Sequence, residues 1–227
     1  MTSSELRRAM GAGVGFVVLF VAGVLLNNSP NIDSTDTDAV AAAKFVTYVS
    51  DSGNRARLVV GAFLLVFAAL ALVWFTLGLR AWIGIQSAAG RLVSHLGVLG
   101  AGAIAAGAIT SAAVAGPVTF GSEPVPKDGD TIRIVMDLAF PFLFVAFGLT
   151  SAALIAAVTI GAMRAATAPS WVVYTGWVAV LGSLGGVIFV PFVLPLLWYL
   201  AIAILGLIRT APVATHVTDG HHDHGPI

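Results

Sequence analysis

The chain has 227 residues, of which 58% are hydrophobic and only 10% charged, with a formal net charge of zero and no Cys. Its mean hydropathy of +0.97 argues against a soluble globular fold. A balanced charge with no basic stripe excludes nucleic-acid binding, and the lack of Cys excludes disulfides, thiolate catalysis and Cys-based metal sites.

Several apolar runs are about as long as a bilayer is thick. Roughly 20 residues at 1.5 Å rise cross a ~30 Å hydrocarbon core. Only helices and closed barrels satisfy their backbone groups in lipid. Barrel strands need ~10-residue alternating segments, whereas these runs are continuous and rich in Ala, Leu, Val and Gly. The expected fold class is therefore an all-α polytopic transmembrane bundle.

Span 1 is predicted at 10–26, behind Arg7 and Arg8. A basic flank before an apolar run also describes a signal peptide. The Gly23-Val-Leu-Leu-Asn-Asn stretch makes a poor cleavage site, so a retained helix is expected. Residues 27–57 form the longest polar segment, opening on the turn-rich Asn27–Asn31. Ser34, Thr35 and Asp36 offer N-caps, and Ala42, Phe45, Val46 and Val49 then fall on one helical face. A short amphipathic helix is expected here, on the membrane surface or capping the bundle.

Span 2 is predicted at 58–79, stopped by Arg80, followed by a polar connector from Gln86 to His95. Span 3, at 96–118, is almost all Gly and Ala, with small-xxx-small spacing at Gly102–Ala106 and Ala103–Gly107. Such spacing lets helix backbones approach closely. An acidic loop precedes span 4, at 134–163. Residues 171–208 are too long for one span and divide at Gly185-Gly186 into span 5 (171–185) and span 6 (187–208). Five spans plus a re-entrant segment is the alternative. Residues 1–209 thus form the bundle, and 210–227 a disordered His-rich tail.

With six spans, Arg7, Arg8, Arg80, Arg91, Arg164 and Arg209 share one side, and Lys44, Arg55, Arg57, Lys127 and Arg133 the other. The pair beside the first helix carries most weight and predicts both termini inside. Nine Arg against two Lys, with so much Ala and Gly, is the composition of a GC-rich bacterial chain, so the expected location is the bacterial plasma membrane.

Few side chains carry chemistry. Thr110 and Ser111 of span 3, Thr150 and Ser151 of span 4, and Trp198 and Tyr199 of span 6 are candidates to line a pocket between those spans. The bland reading is that they bond to neighbouring helices. Asp137 is the one carboxylate at the edge of a span, and Arg133 lies one turn before it. The two form a candidate ion or proton site. Pro141, Pro191 and Pro195 fall within spans and are expected to kink them. His95 is expected at an interface, with no second buried His for heme. His216, His221, His222 and His224 are a candidate metal-capturing cluster in a solvated tail. No hydrolase elbow, zinc-protease, Walker or dinucleotide motif occurs, so neither a cofactor nor an enzymatic activity is expected.

The layout is similar to a family of uncharacterised bacterial multipass proteins with six transmembrane helices. The resembling stretches are Asn54-Arg-Ala-Arg-Leu-Val-Val-Gly-Ala, Ala168-Pro-Ser-Trp171 followed by Gly176-Trp177, and Pro195-Leu-Leu-Trp198. The tail and the acidic loop fall outside the likeness, which implies fold and localisation only. The leading functional expectation is a structural or accessory membrane protein that contacts lipids and a membrane-protein partner or a second copy of itself. The alternatives are a small-solute or ion transporter, and a metal-responsive protein acting through the tail.

Overall fold

A computed structural model describes residues 1–115, 128–165, 168–185 and 193–209. These form seven helices, with no strand among the described residues: α1 (Ser3–Leu26), α2 (Asp38–Ser50), α3 (Ser52–Ile83), α4 (Ala88–Ala113), α5 (Gly129–Ala165), α6 (Ser170–Gly185) and α7 (Val193–Arg209). The helical expectation holds.

Side-chain caps set most of the helix starts. Thr2 and Glu5 make a reciprocal capping box on α1. Thr37, Asp51, Ser87 and Asp128 each accept from a backbone N–H of the helix that follows. Two of these caps move boundaries away from their expected places. Asp51 starts α3 one and a half turns before Leu58, giving a helix of 32 residues. Ser87 starts α4 inside what reads as a polar connector, so the link from α3 is only a tight turn. Gly84 makes that turn at φ +104°, a conformation that favours glycine.

Helix α2 is the expected amphipathic element. It buries Ala41, Phe45 and Val49, the last two against Leu58 of α3 and against Ile132 and Met136 of α5. It therefore caps one end of the bundle.

Pro141 does not simply kink α5. Residues Pro141–Ala146 form a π turn, closed by the Phe147 N–H donating to the Phe142 carbonyl. A π turn widens the helix where a proline has removed a donor. Pro195 also departs from expectation. It is the third residue of α7, where the first-turn N–H groups have no intrahelical partner, so it costs the helix no bond. Pro191 lies outside the described residues.

The six long elements close into a ring. In order, α1 packs on α3, α3 on α4, α4 on α5, α5 on α6, α6 on α7, and α7 returns to α1. Phe16, Phe20, Phe75, Phe147 and Tyr199 fill its centre. The outer surface carries exposed Phe, Leu and Trp side chains, as at Phe67, Trp74, Leu149 and Leu181. Four helices, α1, α3, α4 and α5, are long and apolar enough to cross a membrane. Helices α6 and α7 are apolar but shorter, at 16 and 17 residues. The predicted six spans are thus matched in full by four.

Glycines set the closest helix contacts. Gly23 and Gly61 bring α1 and α3 together, and Gly206 receives Met10 of α1. On α4 the packing glycines are Gly97 against Thr76 and Gly107 against Leu143. Gly102 has nothing within 4 Å, so the predicted Gly102–Ala106 pair does not mark a contact face.

At Gly13 an added Cβ would lie 2.6 Å from Phe75 and 2.8 Å from Ala203. Gly13→Leu is expected to lower stability in detergent by about 1–3 kcal/mol through overpacking. Gly15→Leu, with open space around it, is expected to leave the thermal midpoint unchanged. Circular dichroism melts of the two variants read the difference.

Candidate functional site

The polar side chains of the spans are used locally. The Thr110 hydroxyl donates to the Ala106 carbonyl, and Thr150 donates to Ala146 and Phe147, all on their own helices. Thr76 and Ser183 do the same toward Val73 and Ala179. Such back-bonding satisfies a hydroxyl without a partner helix.

One polar pair lies at the centre of the ring. Ser151 Oγ and Tyr199 Oη are 2.7 Å apart and fully enclosed. The Tyr199 ring stands edge-on to Phe16, at 5.6 Å between centroids, and to Phe75, at 6.1 Å. These edge-to-face contacts suit the ring quadrupoles. Beside it, Trp198 Nε1 donates to the Val172 carbonyl of α6 at 3.4 Å. Its indole also borders a small apolar groove of 250 Å³ with Trp171, Leu194 and Leu197.

The six pocket candidates therefore do not gather in one cavity. Ser151 and Tyr199 meet, but in a dry aromatic centre. Trp198 faces α6, and Thr110 and Thr150 face their own backbones. Ser111 belongs to a different place, a cleft of 510 Å³ between the end of α1, α4 and α5. There Asn27 Nδ2 donates to Ser111 Oγ at 2.6 Å, and Ser111 donates on to the Ala108 carbonyl. Asp137 lies on the same cleft, as do Leu143 and Phe144 of the π turn.

Asp137 is two-thirds exposed and forms the expected one-turn pair with Arg133, Nε to Oδ2, at 3.7 Å. Arg133 also reaches Asp38 of α2 at 3.3 Å. The arginine thus ties α5 to the cap helix. An exposed pair of this kind contributes little to stability, and its wet surroundings differ from those of a buried proton relay. The part played by Asn27 escaped the sequence reading. Its only signal was a pair of asparagines directly after an apolar run.

The cap end is also held by Lys44, which lies 2.6 Å from Asp36 and 3.7 Å from Asp33. Hydrogen bonding to Lys44 holds the Asp36 carboxyl below its ordinary range, and Asp36 in turn raises Lys44. Asp36 thus supports the fold above the usual carboxylate pKa and loses this as pH falls through its depressed value. Lys44 contributes below the usual lysine pKa and loses this as pH rises through its elevated one. The clasp is intact across the neutral range.

His95 is exposed. Among the described residues no group of three or more His, Asp or Glu side chains is arranged to hold a metal. The candidate cluster of His216, His221, His222 and His224 lies outside the described residues. No family model, curated protein or solved structure matches this chain.

The bonded Ser151–Tyr199 pair and the unpartnered Thr159 give contrasting expectations. A double-mutant cycle of Ser151→Ala and Tyr199→Phe is expected to return a coupling of about 0.6 kcal/mol, the average for such bonds in membranes. Unfolding in denaturing detergent measures it. Thr159 is fully buried against Gly176, and its hydroxyl has no hydrogen-bond partner. Thr159→Val keeps the shape and removes the orphan, so the midpoint should rise, by about 1 kcal/mol of stability.

Proposed function

We propose that this chain is a six-span integral membrane protein of the bacterial plasma membrane, with both termini in the cytoplasm. On this reading it is a structural or accessory component that acts through lipid and protein contacts, without catalysis. One observation carries the reading. Among the described residues the polar groups inside the ring, Thr159 excepted, are bonded to each other or to helix backbone, around a centre filled by aromatic rings. That leaves packing surfaces, and no aligned set of reactive groups, as the means of action.

The charge distribution supports the orientation. Gly206 of α7 meets Met10 of α1, and Gly161 of α5 meets Ile83 and Ala89. These contacts gather Arg7, Arg8, Arg80, Arg91, Arg164 and Arg209 at one end of the bundle. A cluster of arginines at the helix ends favours the cytoplasmic face. The short α6 and α7 complete the count as a packed pair. The resemblance to six-helix multipass proteins belongs to this proposal.

A second reading, a small-solute or ion transporter, is favoured by the cleft beside the π turn, because π turns recur at functional sites. It moves the pocket from spans 3, 4 and 6 to spans 1, 3 and 4. The metal-responsive alternative rests wholly on the tail.

Two measurements test the leading reading. A fluorescent C-terminal fusion is expected to shine in intact cells and a phosphatase fusion to stay inactive. An active phosphatase reverses the orientation. Proteoliposomes placed in gradients of small solutes and salts should respond in light scattering at the rate of protein-free vesicles. A faster response favours transport and sinks the accessory role.

A further inference from the structure

At the arginine-rich end, the first turns of α1 and the last turns of α3 border a groove of 520 Å³. Glu5 and Arg8 line it from α1, and Trp74, Leu77 and Arg80 from α3. Two guanidinium groups from facing helices therefore share one depression.

Glu5 lines the groove with them and interacts electrostatically with Arg8, so the groove holds two guanidinium groups against one carboxylate. Among the described residues neither Arg8 nor Arg80 has a carboxylate within ion-pair distance. The Glu5 carboxylate accepts from the Thr2 N–H at 2.7 Å in the capping box and makes no direct ion pair with either arginine. Arg80 donates its Nε–H to the Ile85 carbonyl at 3.3 Å, which anchors the side chain and leaves its other N–H groups for a ligand. The opposite end of the bundle is built differently. There Lys44 has two aspartates, and so does Arg133. Two guanidinium groups against one carboxylate leave the groove net positive and open to an anion from outside, and a guanidinium matches phosphate through paired hydrogen bonds.

The rest of the lining says which phosphate. Trp74 is 61% exposed on α3, six residues before Arg80, and such indoles are enriched where headgroups meet hydrocarbon. From the groove an exposed apolar stripe runs up α3 through Leu77, Trp74, Leu70, Phe67 and Phe63, spaced by three or four residues. At 1.5 Å per residue it spans about 21 Å, more than the ~15 Å of one leaflet's hydrocarbon. A free phosphate has no use for such a track, whereas an acyl chain follows it.

We infer that this groove binds one anionic phospholipid, with its phosphate on Arg8 and Arg80 and an acyl chain along the Trp74–Phe63 stripe. The inference rests on the membrane-embedded reading proposed above and names the lipid class that the bundle holds.

The test uses the full chain, purified in detergent, stripped of lipid and offered phosphatidylglycerol, phosphatidylethanolamine or inorganic phosphate, with native mass spectrometry as the readout. One phosphatidylglycerol per chain should be retained in preference to phosphatidylethanolamine, and inorganic phosphate should not displace it. Arg8→Gln with Arg80→Gln is expected to lower retention about tenfold or more. Arg91→Gln with Arg164→Gln removes the same charge from the same end, outside the groove, and should leave retention unchanged. Equal retention of the two lipids overturns the site, as does equal loss in the two double variants or displacement by inorganic phosphate. The headgroup comparison needs no variant, so it stands even if the arginine substitutions impair folding. Extraction of the chain from cell membranes by alkaline carbonate would overturn the embedded reading itself. A chain that resists extraction yet fails the lipid test overturns the groove alone.

Discussion

The return of α7 onto α1 is the contact on which the ring depends. It is a contact made by missing side chains. Gly13 leaves room for Phe75 and Ala203, and Gly206 leaves room for Met10. With these two surfaces close, Phe16 comes within edge-to-face range of Tyr199, and Tyr199 reaches Ser151 across the centre. On the membrane-embedded reading proposed above, lipid supplies no hydrophobic drive between helices, so close packing and a few hydrogen bonds hold them together. Phe147, which packs on Phe16 and Phe20, then draws α5 into the same centre. The aromatic cluster is therefore a product of ring closure and also the reason a closed ring has no empty middle.

The two ends of the bundle solve the problem of charge differently. The cap end carries both signs and pairs some of them, Lys44 with Asp33 and Asp36, Arg133 with Asp38 and Asp137, while Arg55 donates to the Val49 and Ser50 carbonyls. These pairs join the segment before α2, α2 itself and α5 into one polar lid over a small apolar cluster. The other end is a collar of arginines. A surface of balanced charge is nearly indifferent to its surroundings, while an excess of one sign draws counterions from the medium. The asymmetry is thus electrostatic as well as topological.

Much of this was readable along the chain, because apolar length and capping are local properties. The helices follow the apolar runs, and α2 was visible from its stripe, although its cap is Thr37 and not Ser34, Thr35 or Asp36. What could not be read was phase and partnership. Gly102 and Ala106 have the right spacing for close contact, yet Gly102 faces open space, while Gly97 and Gly107 face the neighbours. Which side of an all-small helix packs is decided by the helices around it. Tyr199 and Ser151 were visible as polar groups at depth, but their bond joins residues 48 apart in sequence. Asn27 and Ser111 are 84 apart. Ser87 looked like part of a polar connector because a cap and a loop residue have the same composition. Pro195 looked like a kink because its harmlessness depends on where α7 begins.

The π turn at Pro141–Ala146 has a consequence for how α5 serves two masters. An ordinary helix advances about 100° per residue, so inserting one residue into a turn rotates everything beyond it by that amount. Before the turn, Ile132 and Met136 face the cap cluster. After it, Phe147, Ser151 and Ile155 face the ring. The turn works as a fixed gear between two interfaces whose angular demands differ, and removing one residue from it would leave one of them out of mesh.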